Sequence, residues 1–196
     1  MKIKHLLLGF LLLGSSTTFA QKDITLDDIW SKPVFRQKNI QNLNWTKDGQ
    51  SYLELKEGKI LKYNVLDPSK FETLFDEAIH KTSMGGTIHV QEFELSSDEQ
   101  TILIGTASEP IYRRSSKETN YLFNRSNGSL KLLSQGDKQM HATFSPDGKR
   151  VAFVRNNNLF WVDVAIGKET AITTNGKNNQ LINGACDWVY EEEFSF

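Results

Sequence analysis

Near its C-terminal end the chain reads Asp187-Trp188-Val189-Tyr190-Glu191-Glu192-Glu193-Phe194. Three consecutive carboxylates among aromatic side chains are an unusual arrangement. Adjacent acids repel, and apolar surroundings raise the cost of keeping them ionised. A bound cation relieves both. An ammonium group, with three donors and no acceptor, is satisfied by two carboxylates at neighbouring positions. The plainer alternative is a solvated helix start: Asp187 is a good N-cap, and the helix dipole favours acids in the first turns. A second charged cluster, Ile111-Tyr112-Arg113-Arg114-Ser115, sets two arginines between strand-like runs, where the plain reading is a solvated loop.

Other reactive chemistry is scarce. No Gly-x-Ser-x-Gly nucleophile elbow occurs in the chain. His5 lies in a basic leader, His80 and His89 flank Thr82-Ser83-Met84-Gly85-Gly86, and His141 opens a strand-like run. None has metal or triad spacing, so surface or core packing is expected of each, and no metal or cofactor site is assigned. A single cysteine, Cys186, cannot form an intramolecular disulfide or the Cys pair of a zinc site. It reads as a buried apolar filler.

The elements that must carry these clusters repeat. Trp45-Thr46-Lys47-Asp48-Gly49, Leu95-Ser96-Ser97-Asp98-Glu99 and Phe144-Ser145-Pro146-Asp147-Gly148 are each followed by a β-like run, and the three aspartates are 50 and 49 residues apart. Asp or Ser side chains cap a tight turn, Pro146 presets φ, and Gly49 or Gly148 supplies positive φ. Further β-like runs follow at 59–65, 120–124 and 158–164, rich in β-branched and aromatic residues. Several short strands per unit at a period near 50 residues predict β-propeller blades, which bury their faces by stacking on one another.

Composition sets outer limits. The 196 residues carry 23 Lys+Arg against 24 Asp+Glu, so there is no basic excess to hold nucleic acid. A hydrophobic share of 38% and a charged share of 24% describe a folded chain. Lys2 and Lys4, the apolar run 6–13 and a small-x-small ending at Ala20 match a signal peptide over residues 1–20. The apolar run is well short of the roughly 20 residues that span a bilayer. Loss of this leader takes the formal charge from −1 to −3. The expectation is an exported protein, periplasmic or secreted, with no membrane span.

The DWVYEEE run resembles the double-glutamate segment of the dipeptidyl peptidase IV family of serine peptidases. Ile111-Tyr112-Arg113-Arg114-Ser115 is similar to that family's arginine loop, and Ile24-Thr25-Leu26-Asp27-Asp28-Ile29-Trp30 to its opening segment. The resemblance implies an eight-bladed propeller joined to a C-terminal α/β-hydrolase domain, acting on peptides with a free N-terminus and leaving a homodimer open as the full-length assembly. It places the substrate-amine pair on Glu192 and Glu193, with Glu191 as a neighbour. It gives Arg113 contact with the carbonyl of the substrate's first residue and a bracing role toward the glutamates.

The expected organisation is therefore all-β. A signal peptide (1–20) and a short helical N-terminal segment (21–41), meant to pack on the absent hydrolase domain, precede about three to four of eight blades (42–186). The start of the glutamate helix (187–196) follows. The catalytic Ser, Asp and His are expected beyond Phe196, leaving the chain inert alone. The alternative is a non-enzymatic periplasmic propeller that binds a protein partner.

Overall fold

The structure, a computed structural model, describes residues 23–35 and 44–194. The expected signal peptide lies outside the described residues. The chain divides into two compact units, residues 1–39 and 40–196.

In the first unit a five-residue helix, α1 (Leu26–Trp30), is followed by a 3₁₀ turn (Pro33–Phe35). Its start is a capping box. The Thr25 hydroxyl oxygen accepts the Asp28 N–H at 3.1 Å, and the Asp28 carboxylate accepts the Thr25 N–H at 3.2 Å. Lys32 closes the other end on Asp27 (2.7 Å) and Asp28 (3.1 Å). So short a helix is held by its caps, and Leu26, Ile29 and Trp30 stay exposed.

The described residues of the second unit contain three four-stranded antiparallel sheets, each a simple meander. The first is β1 (Asn44–Trp45), β2 (Ser51–Lys56), β3 (Lys59–Asn64) and β4 (Phe71–Asp76). The second is β5 (Glu92–Leu95), β6 (Thr101–Pro110), β7 (Ser116–Asn124) and β8 (Ser129–Leu132). The third is β9 (Met140–Phe144), β10 (Arg150–Arg155), β11 (Asn158–Asp163) and β12 (Glu169–Ala171). These are three blades of a partial propeller. The sequence pattern identified the first three strands of each blade; the outer strands β4, β8 and β12 complete it.

Each first turn is built as the repeat implies. Asp48 Oδ1 accepts the Gln50 N–H at 2.9 Å and the Thr46 hydroxyl at 2.7 Å. Asp98 does the same for Gln100 and Ser96, and Asp147 for Lys149 and Ser145. Gly49 and Gly148 have φ near +65° and +71°. Glu99 holds the same left-handed conformation at +58° with a side chain attached, which costs roughly 1 kcal/mol. Its carboxylate reaches Lys62 of the first blade at 2.5 Å, and its carbonyl accepts from Arg125 at 2.6 Å.

The blades bury each other. Leu53, Ile60, Leu74 and Phe75 of the first meet Phe93, Ile102, Ile104, Phe123 and Leu130 of the second. Leu103 and Leu133 meet Val151, Phe153 and Val162 of the third. Strand β6 is covered on both faces, which is why Ile102-Leu103-Ile104 is uninterrupted rather than alternating.

One hairpin outgrows its blade. β6 and β7 continue pairing past Thr106↔Thr119, through a bulge at Ala107 (φ 51°), to Pro110↔Ser116. Glu118 in this arm bridges to Gln139 beside the third blade. The arm carries residues 111–115 as its tip, away from the sheet that anchors it.

Candidate functional site

The tip is closed by the Ile111 N–H donating to the Ser115 carbonyl at 2.8 Å, with the Tyr112 N–H adding a longer bond at 3.3 Å. Against it stands α2 (Trp188–Glu192), whose N-cap Asp187 accepts the Tyr190 N–H at 3.1 Å. The two segments are 76–79 residues apart in sequence, and the acids join them.

Glu192 faces Arg113 twice. Its Oε1 accepts the Arg113 backbone N–H at 2.7 Å, and its Oε2 lies 3.1 Å from the guanidinium Nε. The glutamate side chain is 11% exposed and the arginine 74%, so solvent weakens the charge part of this pair. Glu191 turns inward. Its Oε1 accepts the N–H groups of Arg114 (2.8 Å) and Ser115 (3.1 Å). The Ser115 hydroxyl is buried and has no aligned hydrogen-bond partner among the described residues. Sitting against the carboxylate, it is the largest influence holding Glu191 below the usual range; the two N–H donors and His141 add to it. The direction is opposite to the rise that aromatic surroundings predict, because donors outweigh desolvation here.

Glu193 is the C-cap of α2 and exposed, and no described residue gives its carboxylate a hydrogen bond or ion pair. Arg113, Glu192 and Glu193 are thus on adjoining segments, with Glu193 presented to solvent. Of the aromatic neighbours, Tyr190 and Phe194 pack ring to ring at 5.6 Å, and Trp188 is half exposed. A cleft of about 1380 Å³ opens alongside, with Tyr112, Lys117, Asp187 and Tyr190 in its wall. A smaller cavity of about 150 Å³ behind the tip is lined by Arg114, Glu92, Glu118 and His141. Burial, and then Glu118, push Glu92 up.

Cys186 corrects the sequence reading: it is exposed and stands in the wall of the large cleft. Gly184, two residues earlier, lies so close to Val154 and Leu159 that a side chain there would collide with them. His80 and His89 take packing and surface roles, and His5 lies outside the described residues. His80 stacks on Phe75 and meets Phe123 edge-on, and His89 pairs with Glu77 at the surface. Among the described residues no group of three or more His, Cys, Asp or Glu is placed to hold a metal.

Three meandering blades, with an arginine-tipped arm latched to an acidic helix, define a partial β-propeller. The family described as the dipeptidyl peptidase IV (DPP IV) N-terminal region matches residues 96–196, and the chain belongs to it. Human prolyl endopeptidase FAP is 28% identical over 152 residues, covering 76% of this chain and 19% of its own. Bovine dipeptidyl peptidase 4 is 28% identical over 185 residues, covering 92% and 23%. The crystal structure of Porphyromonas gingivalis dipeptidyl peptidase 4 superposes with a TM-score of 0.80 at 35% identity, covering 90% of this chain and 25% of that one. The chain spans about a fifth to a quarter of the length of these relatives. No helix among the described residues is long and apolar enough to cross a bilayer.

Proposed function

We propose that this chain is the amine-gripping propeller portion of a serine exopeptidase that releases dipeptides from the free N-termini of peptides. Glu193, and Glu192 with it, hold the substrate's α-ammonium. Arg113, braced by Glu192, donates to the carbonyl of the first residue. A preference for Pro or Ala at the second position is carried over from the family resemblance. The nucleophile, its base and its orienting acid belong to a hydrolase domain that follows in the full-length protein, and α1 with its exposed Leu26, Ile29 and Trp30 is a segment to dock on that domain. The leader in residues 1–20 directs export.

The observation that carries this reading is the pairing of Arg113 with Glu192 beside a carboxylate left open at Glu193. A fixed anionic grip sets the distance from the peptide's first nitrogen to the nucleophile, and a blocked amine leaves a desolvated acid unpaired. The names of the relatives include both an endopeptidase and dipeptidyl peptidases; an acid free to take an ammonium supports the exopeptidase mode. A propeller that only binds a protein partner has no use for such a grip. The test is dipeptide release by the full-length protein from free and N-acetylated substrates. Glu192→Gln or Glu193→Gln should lower kcat/KM for the free amine roughly a hundredfold or more. Equal turnover of free and acetylated peptides overturns the reading.

A further inference from the structure

The amine grip leaves the first acid of the run idle, yet Glu191 is the most deeply placed of the three, at 6% exposure. Within the tip, backbone carbonyls take the N–H groups of Ile111 and Tyr112. The next three N–H groups end on carboxylates from α2: Arg113 on Glu192, then Arg114 and Ser115 on Glu191. The Arg113 side chain is itself mostly exposed. Its guanidinium is therefore placed by the tip's backbone and by Glu192, not by burial.

We propose that Glu191 is a positioning residue: its buried carboxylate clamps the 111–115 tip onto α2 and thereby sets where Arg113 stands relative to Glu192 and Glu193. An acid is suited to this because one oxygen accepts two N–H donors at once and charge strengthens both bonds. Removing it takes this acceptor from the buried Ser115 N–H and the part-buried Arg114 N–H. Of the carboxylate ties described above, only that of Arg113 to Glu192, the last residue of α2, then remains. The kinetic consequence rests on the amine-grip reading; the clamp itself does not.

The experiment uses the full-length protein with Glu191→Ala, Glu191→Asp and Glu191→Gln. Hydrogen exchange of a peptide spanning residues 111–115 should accelerate roughly tenfold or more in Glu191→Ala. It should also accelerate in Glu191→Asp, whose carboxylate is one methylene short. Glu191→Gln keeps an acceptor oxygen at the right length and should stay nearest to wild type. On free-amine dipeptide substrates, Glu191→Ala should raise KM by a similar factor with kcat within about twofold, and Glu191→Gln should restore most of it. In an Arg113→Ala background, Glu191→Ala should add little, since it acts through that arginine. A general loss of folding would instead lower the active fraction and kcat at unchanged KM.

Unchanged exchange in Glu191→Asp, or KM effects of Glu191→Ala and Arg113→Ala that multiply in full, overturns the proposal. Should Glu191→Ala not fold, the Asp and Gln variants decide it. Should Glu192→Gln and Glu193→Gln leave KM unchanged, the amine-grip reading falls, and the exchange result still decides the clamp.

Discussion

Glu191, Glu192 and Glu193 are chemically identical and adjacent, yet one is buried against loop N–H groups, one is shared with an arginine and one is open. That division sets what single substitutions do. Arg113→Lys keeps the charge but loses the Nε fork that lies on Glu192. In the full-length protein it should raise KM for free-amine substrates roughly tenfold while leaving the melting temperature within a degree or two; steady-state kinetics beside a thermal melt check both. Glu191 adds a pH dependence. Its folded pKa is lowered, so its contribution is fully present above the ordinary glutamate range. That contribution is lost only as pH falls through the lower folded value. Exchange protection of the 111–115 tip should therefore persist below pH 4.5 and on further acidification weaken only to the level of Glu191→Gln, and loss between pH 6 and 5 would contradict this. The run was visible in the sequence as candidate ligands. Which acid turns inward was not, because that depends on a loop 76 or more residues away. The reversed shift of Glu191 has the same origin.

The repeating turn is the element most plainly written in the chain, since an Asp with Ser or Thr two residues before it recurs with the blade. Less visible were the outer strands. β4 alternates poorly, with three exposed residues followed by three buried ones, and β12 is only three residues long. The arm was also hidden. Thr106-Ala107-Ser108-Glu109-Pro110 has no period-two pattern, because beyond Thr106 only the β6–β7 pair continues and no core remains to impose one. The turn aspartates make a prediction at this scale. Gln50 N–H and the Thr46 hydroxyl lower Asp48, the Ser96 hydroxyl and Gln100 N–H lower Asp98, and the Ser145 hydroxyl and Lys149 N–H lower Asp147. Each contributes stability present above the unfolded aspartate pKa, about 3.9, and lost as pH falls through the lower folded value. Asp48→Asn, Asp98→Asn and Asp147→Asn combined should lower the melting temperature at pH 7, and the gap from wild type should close below pH 4. A gap that stays constant with pH would show that the turns do not use the charge.

Across the whole second unit, one register row explains how blades meet. Trp45, Tyr52, Tyr63 and Phe71 lie opposite one another across the first sheet. Leu95, Ile102, Phe123 and Leu130 form the matching row of the second. In the third, Phe144, Val151 and Val162 do so. In the second and third blades this row is the inter-blade core, with Ile102 and Val151 fully buried. In the first blade Trp45 and Phe71 are 61% and 59% exposed, and the rings merely lean on each other at 5.2–6.1 Å. A row that serves as core twice and stands open once is the surface on which we expect a further blade to pack. Aromatic residues there bury large areas when covered, and open apolar faces of this kind drive association. Residues 21–196 produced alone should therefore associate at micromolar concentration, bind a hydrophobic dye and melt over a broad range. Replacing Trp45, Tyr52, Tyr63 and Phe71 with Thr should reduce both association and dye binding without disturbing the second and third blades, whereas Phe153→Ala, inside their shared core, should cost about 3–5 kcal/mol. Size-exclusion chromatography and dye titration decide it: a monomer with a sharp transition and no dye binding would mean that the aromatic row is a finished surface rather than a seam.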